Sequence, residues 1–415
     1  MTLSEELSWR GFLYQTTFED IKELDKKPLN FYLGVDPSAA SMTVGNLSTM
    51  MMVRCFIRYG YKAYMLIGGA TGLIGDPDGK SKERELKTTD EIVKNKNTIV
   101  EQYRCILADL EFEIVDNYSW FKDIKYLDFL RDIGKHIPMR QLLAREFVQT
   151  RLSDRGSGIS YAEFSYSLIQ GYDFLTLFRD KNVTLQVCGS DQWGNCIAGV
   201  DLIRRKTGGE AHIWSHPLVL NKSTGVKFGK SEEGAVWLDE NLTSVYRFYQ
   251  FWLNDDDEGV ADYIKIYTEI KPEEFNQLMK DFDNDRSGRV AQKYLAYQVT
   301  KIVHGTERAD SVKRISEVLF GNKSYKELNQ KDFEELAKEL GLYNVNSGAE
   351  LAEVLVSANL ATSKGEARRF LESNAIYING SQIPLSKTTI EQDDQINGYA
   401  ILRRGKNSQV VVKIL

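Results

Sequence analysis

The sequence predicts an α/β protein built on a parallel sheet, followed by a mainly helical stretch and a small α+β module. Three short apolar runs bounded by turn residues, NFYLGV (30–35), AYMLIGG (63–69) and TLQVCG (184–189), read as buried strands. Between the first two, Leu47, Met50, Met51, Val53, Phe56 and Ile57 recur at helical spacing. Strand, helix, strand in that order implies parallel pairing, because a parallel neighbour needs a crossover of this length. All three strands run into polar or glycine-rich loops, GVDPS, GGATGLIGD and GSDQWGN. Ligands of open parallel sheets sit at the carboxyl ends of the strands, so these loops are where a site is expected.

The remaining elements follow in order. From about 230 to 320 the pattern is helical: SVYRFYQFWL, ADYIKIYTEI, RVAQKYLAYQVTKIVHG and ADSVKRISEVLF. A polar stretch, roughly 321–348, holds one helix, KDFEELAKEL. The last segment offers an amphipathic helix (AELAEVLVSANL), a Ser-Lys-Gly turn, a second helix (EARRFLESN) and short strands (AIYING, YAILRRG, QVVVKIL). No internal repeat or low-complexity tract interrupts this order. A chain of 415 residues suits two or three domains at about 150 residues each.

Composition narrows the function. With 42% hydrophobic and 27% charged residues the chain reads as soluble and globular. No run of 18 apolar residues exists, and the start, MTLSEELSWRG, lacks the basic and apolar regions of a secretory signal. Cys55, Cys105, Cys188 and Cys196 form no CxxC pair, so neither a disulfide scaffold nor a zinc knuckle is expected, and a reducing cytoplasmic location is. Four histidines (His136, His212, His216, His304) leave little material for a His-rich metal site or for histidine acid–base chemistry. The net charge of −6 divides unevenly: residues 346–415 hold 8 basic and 7 acidic residues, the remainder 45 and 52. A nucleic-acid partner must therefore be met by local patches.

Two motifs fail on spacing. GDPDGKS (75–81) ends like a phosphate-binding P-loop, but Ile74 stands where that loop needs glycine. DFDNDRSG (281–288) begins like a calcium loop, yet its sixth position is Arg286 and its twelfth Gln292, so it reads as a solvated interhelical turn. Two cationic loops carry more. KFGKS (227–231) places Lys227 and Lys230 around Gly229, and GKSKER (79–84) supplies Lys80 and Arg84; facing one cleft, they suit a triphosphate. In SYSLIQGYD (165–173), Tyr166, Gln170 and Asp173 fall on one helix face where a core face would carry Leu or Ile. That face reads as recognition of a polar small molecule, against the plainer readings of a buried interhelical network or a solvated surface.

YLGVDPSAASMTVGN, GGATGLIGDPDGK, the Tyr166/Gln170/Asp173 helix, GSDQWGN and KFGKS together resemble, in order and approximate spacing, the bacterial-type tyrosyl-tRNA synthetases, which are class I aminoacyl-tRNA synthetases. The last module resembles their S4-like RNA-binding domain, and the likeness runs from about Trp9 to Leu415. It implies a doubly wound, Rossmann-like catalytic domain over 1–225 with a dimer-forming insertion at about 105–185. It further implies a helical domain over 226–320 that starts with the KFGKS loop, a linker over 321–345 and an S4-like domain over 346–415. The implied activity joins tyrosine to ATP as tyrosyl-adenylate, releases pyrophosphate, and transfers tyrosine to the terminal ribose of its tRNA. The implied species are a homodimer, and ATP as substrate with Mg²⁺ but no metal held by the protein.

By matching position, Tyr32 and Asp173 are implied to bond the substrate phenol, and Asp76, Tyr166 and Gln170 to surround its ammonium. Asn117 and Gln192 match further pocket positions, and Leu33 stands where a ribose contact is often made. Gly34, Asp36, Gly45, Gly189 and Asp191 match the nucleotide-binding lining, with Asp191 toward the ribose hydroxyls. TVGN (43–46) occupies the place of the HIGH signature, with Thr43 and Asn46 where the family has histidines, and KFGKS that of KMSKS. The substrate carboxylate is itself the nucleophile, so the protein needs positioning and charge stabilisation rather than a base; Ser38, Thr43, Asn46, Lys80, Arg84, Lys227 and Lys230 are the expected donors. Arg368, Arg369, Arg403, Arg404 and Lys406 are the expected tRNA contacts. Two rival readings are a catalytically weakened paralogue that binds tyrosine or RNA as a regulator, supported by Thr43, and the related tryptophanyl enzyme, disfavoured by Tyr32, Asp173 and the S4-like tail.

Overall fold

The computed structural model describes residues 1–77, 86–153, 156–231, 234–321, 323–405 and 408–415. Six strands form the main sheet: β1 (Gln15–Thr16), β2 (Asn30–Val35), β3 (Lys62–Ile67), β4 (Phe112–Asp116), β5 (Val183–Gly189) and β6 (His212–His216). Their order is β1-β6-β5-β2-β3-β4, parallel except for the antiparallel edge β1. The chain winds outward from β2 through β3 to β4, then restarts on the other side at β5. The strand order reverses between β2 and β5, which opens a crevice there beyond the carboxyl ends of the strands. The three expected strands and the first helix, Val44–Arg58, are in place. β4 and β6 had weaker signals: FEIVD and HIWSH break their apolar runs with charged and polar groups.

Two helices frame the crevice. Val44–Arg58 starts at Thr43, whose backbone N–H and hydroxyl both donate to Asn46 Oδ1 (2.9 and 3.0 Å). Tyr161–Lys181 starts at a Ser160 cap and stops at Asn182, whose φ of 53° is left-handed. Its inner face buries Phe174, Leu175 and Leu177 with Tyr32, Tyr64 and Leu66 of the sheet. It lies against the helix Trp193–Thr207, whose Gly199 faces Phe174 so closely that a Cβ there would sit 3.0 Å from the Phe174 ring.

The chain forms two compact units. One comprises Met1–Asp239 with Asp255–Ala291, the other Glu240–Asn254 with Gln292–Leu415. The stretch expected as one helical domain, 226–320, thus contributes to both. The helix Val260–Tyr267 belongs to the first unit, where Arg10 ties its end down by donating to Lys265 O and Thr268 O (both 2.7 Å). In the second unit the helix Gln330–Leu340 carries the fully buried Asp332, which accepts from Ser311 and Arg314 at 2.6–2.8 Å. A five-stranded sheet follows, in the order Ser381–Gln382, Ile376–Ile378, Tyr399–Arg404, Ser408–Ile414, Leu342–Val345. The last of these pairs parallel with Ser408–Ile414, so the end of the expected linker is an edge strand of the C-terminal sheet. The helices Leu351–Ser357 and Lys364–Glu372 cover that sheet through Leu351, Leu355, Ala367, Ile376 and Val412. No helix among the described residues is long and apolar enough to cross a membrane.

Candidate active site

A cavity of about 370 Å³ lies in the first unit at the carboxyl ends of β2 and β5. Tyr32, Leu33, Gly34, Asp36, Ser38, Thr43, Gly45, Asn46, Asp76, Tyr166, Gln170, Asp173, Gly189, Asp191, Gln192 and Lys227 all line it. These residues span nearly 200 positions of sequence. Strand alternation explains part of the set: it turns Tyr32 and Gly34 of β2 toward the helix Tyr161–Lys181. That helix supplies Tyr166, Gln170 and Asp173 from one face, as the i, i+4, i+7 spacing requires.

The buried end is built around Asp173, 1% exposed. Its carboxylate accepts from Trp120 Nε1 (2.9 Å) and Asn117 Nδ2 (3.1 Å). Burial pushes its carboxyl up to about 8, against the pull of those two bonds toward the charged form. The hydroxyl of Tyr32, equally buried, has no hydrogen-bond partner among the described residues, and burial raises it well above the usual phenol range. Gln170 Oε1 is likewise unpartnered. Unsatisfied buried polar atoms are costly, so a set of them facing one cavity marks a place for a polar ligand.

Asn117 is fully buried and does not line the cavity; it braces the wall from behind. Besides Asp173 it donates to Thr71 Oγ1 (3.0 Å) and accepts from Ala70 N (2.7 Å). Thr71 in turn donates to Asp36 Oδ1 (2.6 Å), and Tyr166 donates to Asp36 Oδ2 (2.7 Å). One network therefore runs from Trp120 through Asp173, Asn117 and Thr71 to Asp36. The GGATG loop admits it only because Gly68 lacks a side chain: a Cβ there would lie 1.9 Å from Asp36 Oδ1. A second group links Asp76 to Gln192 Nε2 (2.6 Å) and Asn195 Nδ2 (3.4 Å).

The rim differs. The N-terminus of Val44–Arg58 meets the cavity at Gly45 and Asn46, so the positive end of the helix dipole lies at its rim. Opposite stands the KFGKS loop, with Lys227 exposed and Phe228 buried. Gly229, at φ 82°, lies so close to Val44 that a Cβ would be 2.0 Å from its Cγ2. The two signature stretches are thereby packed on each other. His216 also lines the cavity; its Nδ1 donates to Pro217 O (2.8 Å), its Nε2 accepts from Thr49 (2.7 Å), and burial lowers it to about 4, so it is neutral. Lys80, Arg84 and Lys406 lie outside the described residues, as does the side chain of Lys230, whose backbone opens a two-residue strand paired with Ala235.

Thr71, Trp120, Asn195, His216 and Thr49 were not singled out from sequence. GGATG drew attention to Thr71's loop and GSDQWGN to Asn195's; the others had no signal short of the tertiary contacts. In the C-terminal module the expected arginines have different environments. Arg369 is exposed with no ion pair among the described residues, and Arg368 is exposed and pairs with Glu350 (3.2 Å). Arg403 stacks on Tyr377 (3.9 Å to the ring centroid), while Arg404 is tied inward, donating to Leu360 O (2.9 Å) and Ser408 Oγ (3.2 Å).

The family described as tRNA synthetases class I (W and Y) matches residues 24–321, and the tyrosine–tRNA ligase SYY-like C-terminal domain matches residues 332–412. A tyrosine–tRNA ligase of Lactococcus lactis subsp. lactis is 40% identical over 421 aligned residues, covering 99% of this chain and all of that one. Tyrosine–tRNA ligase 1 of Streptococcus thermophilus is similar to the same extent. Among solved structures, a C-terminally truncated mitochondrial tyrosyl-tRNA synthetase of Aspergillus nidulans superposes with a TM-score of 0.70 at 29% identity, covering 77% of this chain and 94% of that one. The crevice at the strand-order reversal, the paired signature loops and these end-to-end likenesses agree, and the chain belongs to the class I tRNA synthetases of the W and Y family, among the tyrosine–tRNA ligases.

Proposed function

We propose that the cavity activates L-tyrosine with ATP and passes it to tRNA, the tyrosine–tRNA ligase reaction. The observation that carries this reading is the buried pair at the cavity's end: the unpartnered Tyr32 hydroxyl beside the Asp173 carboxyl. A phenol placed there donates to Asp173 and accepts from Tyr32. Phenylalanine leaves both unpaired, and a site built to bond a hydroxyl rejects the analogue lacking it. Asp76, Tyr166 and Gln170 suit the ammonium, with Gln192 and Asn195 holding Asp76 in place.

ATP then occupies the rim. Gly34, Asp36, Gly189 and Asp191 line the nucleoside side; Ser38, Thr43, Gly45, Asn46 and Lys227 the phosphate side, joined in this reading by Lys80, Arg84 and Lys230. Mg²⁺ arrives on the phosphates. The tyrosine carboxylate attacks the α-phosphorus, the bond to the β-phosphate oxygen breaks, and pyrophosphate leaves. The helix N-terminus and the lysines stabilise the charge that grows on it. The tRNA ribose hydroxyl next attacks the adenylate carbonyl and releases AMP.

Two further assignments belong to this reading. Tyr126, Leu127, Met139, Leu143, Leu152 and Tyr161 are all exposed within the 105–185 stretch, an apolar surface suited to a second copy of the chain. Arg368, Arg369 and Arg403 suit tRNA phosphates, with Lys406 beside them in sequence; Arg404 holds the module together instead. Location in the cytoplasm belongs to the same reading. ATP–pyrophosphate exchange with tyrosine, phenylalanine and tryptophan tests the whole: exchange with tyrosine alone is expected. Exchange with tryptophan and not tyrosine, or none at all, sinks it.

A further inference from the structure

The KFGKS motif is the outgoing arm of a hairpin. Phe228 N donates to Val219 O (2.9 Å), Asn221 N to Val226 O (2.8 Å), and Gly225 N to Asn221 O (2.8 Å) closes the turn. Val219 on the incoming arm and Lys227 and Phe228 on the outgoing arm line the cavity. A single side chain from outside the hairpin grips both arms. Tyr263, on the helix Val260–Tyr267 and only 1% exposed, donates its hydroxyl to Leu220 O (3.0 Å) and accepts from Lys222 N (3.1 Å). Its ring covers Phe228, with centroids 4.2 Å apart and planes at 32°. Room for that ring comes from Gly259, where a Cβ would lie 2.3 Å from Tyr263 Cε2.

We infer that Tyr263 is a positioning residue for activation: by bonding the incoming arm and stacking on the outgoing one, it sets where Lys227 stands relative to the phosphates. Packing alone would need only the ring. A buried hydroxyl costs free energy unless it is bonded, and both of its bonds here go to the backbone of the lysine hairpin. Tyr263 is not among the residues that line the cavity and acts only through that hairpin. The inference rests on the proposed role of Lys227 in handling ATP.

The test uses Tyr263→Phe, which keeps the ring, and Lys222→Pro, which removes the N–H on the other side of the same contact, in the full chain. Pre-steady-state adenylate formation should slow by roughly 5- to 30-fold in Tyr263→Phe, with tyrosine affinity within about twofold of wild type. Lys222→Pro, which also removes the ammonium paired with Asp262 (2.8 Å), should slow the same step, and the double variant should be no slower than the slower single one, because the lost N–H bonds the very hydroxyl that Tyr263→Phe removes. An unchanged rate in Tyr263→Phe overturns the inference, as does a parallel loss of tyrosine affinity, the mark of general loosening. If Tyr263→Phe does not fold, the rate and affinity of Lys222→Pro decide by the same criteria. Absence of tyrosine-dependent exchange in the wild type would instead remove the underlying functional reading, so the two failures are distinguishable.

Discussion

The two ends of the cavity are made differently. At the buried end, polar groups sit on a strand and a long helix, are shielded from water, and are braced by residues that never reach the cavity, Asn117 and Trp120. At the rim, the groups sit at a helix N-terminus and on a hairpin, are largely exposed, and are partnered by one another, as Thr43 is by Asn46. The difference matches two tasks. Discrimination between tyrosine and phenylalanine depends on desolvation, since an unpaired polar group is penalised only where water cannot reach it. Stabilising a departing pyrophosphate needs positive charge that meets the ligand as it forms, which backbone N–H groups and lysines supply in a partly open site. The Thr71–Asn117 link shows that the ends are nonetheless one hydrogen-bonded structure, reaching Asp36 at one side and Asp173 at the other.

Breaking the buried end should have the largest effect. Asp173→Ala removes the phenol's acceptor and strands the Asn117 and Trp120 donors, so tyrosine affinity should fall on the order of 10²- to 10³-fold. Equilibrium binding of tyrosine without ATP measures this, and a loss of less than about tenfold would break the comparison. At the rim, Thr43→Ala should leave tyrosine affinity alone and slow activation by about 10- to 150-fold, if the hydroxyl bonds the γ-phosphate as the transition state forms. Thr43→His, which restores the family residue, should match or exceed the wild type. Rapid-quench measurement at saturating tyrosine and ATP separates the outcomes, and a Thr43→Ala rate within about twofold of wild type makes the hydroxyl a bystander.

Tyr32→Phe is the milder probe of the buried end. One neutral hydrogen bond contributes about 1 kcal/mol, so the preference for tyrosine over phenylalanine should erode roughly fivefold. An unaltered ratio of the two activation rates would take Tyr32 out of the discrimination. The last probe concerns pH and sets two buried groups against each other. Asp173 titrates near 8 in the folded chain against 3.8 ordinarily, so the folded state holds an extra proton between these values. Its contribution to stability is complete below about 3.8 and is lost as pH rises through 8. His216, lowered from 6.5 to about 4, binds fewer protons when folded, so its contribution is present above 6.5 and lost as pH falls toward 4. Melting temperature followed from pH 6.5 to 9 should therefore fall with a dependence that Asp173→Asn abolishes. A slope that persists in Asp173→Asn would assign it to another group.

Much of this was legible in the chain itself. NFYLGV, AYMLIGG and TLQVCG are apolar runs bounded by turn residues, so their burial as strands follows from composition and length. Tyr166, Gln170 and Asp173 share a helix face because 3.6 residues make a turn, whatever surrounds them. Local rules of this kind need no partner. β4 was not legible, because its five half-buried residues are recognisable only from the neighbour that pairs with them, β3. Nor was the sharing of 226–320 between two units, since the amphipathic helix Val260–Tyr267 shows in sequence that one face is buried but not against what. Trp120 and Asn117 lie more than fifty residues from Asp173, and their geometry with it exists only once β4 and the helix Tyr161–Lys181 are packed together. The residue types proposed to bind a phenol and a triphosphate were thus determined by the sequence. Which of them stand unpaired in the cavity, which brace from behind and which pair with each other was decided by tertiary packing, because burial and hydrogen-bond satisfaction are properties of neighbours rather than of the chain.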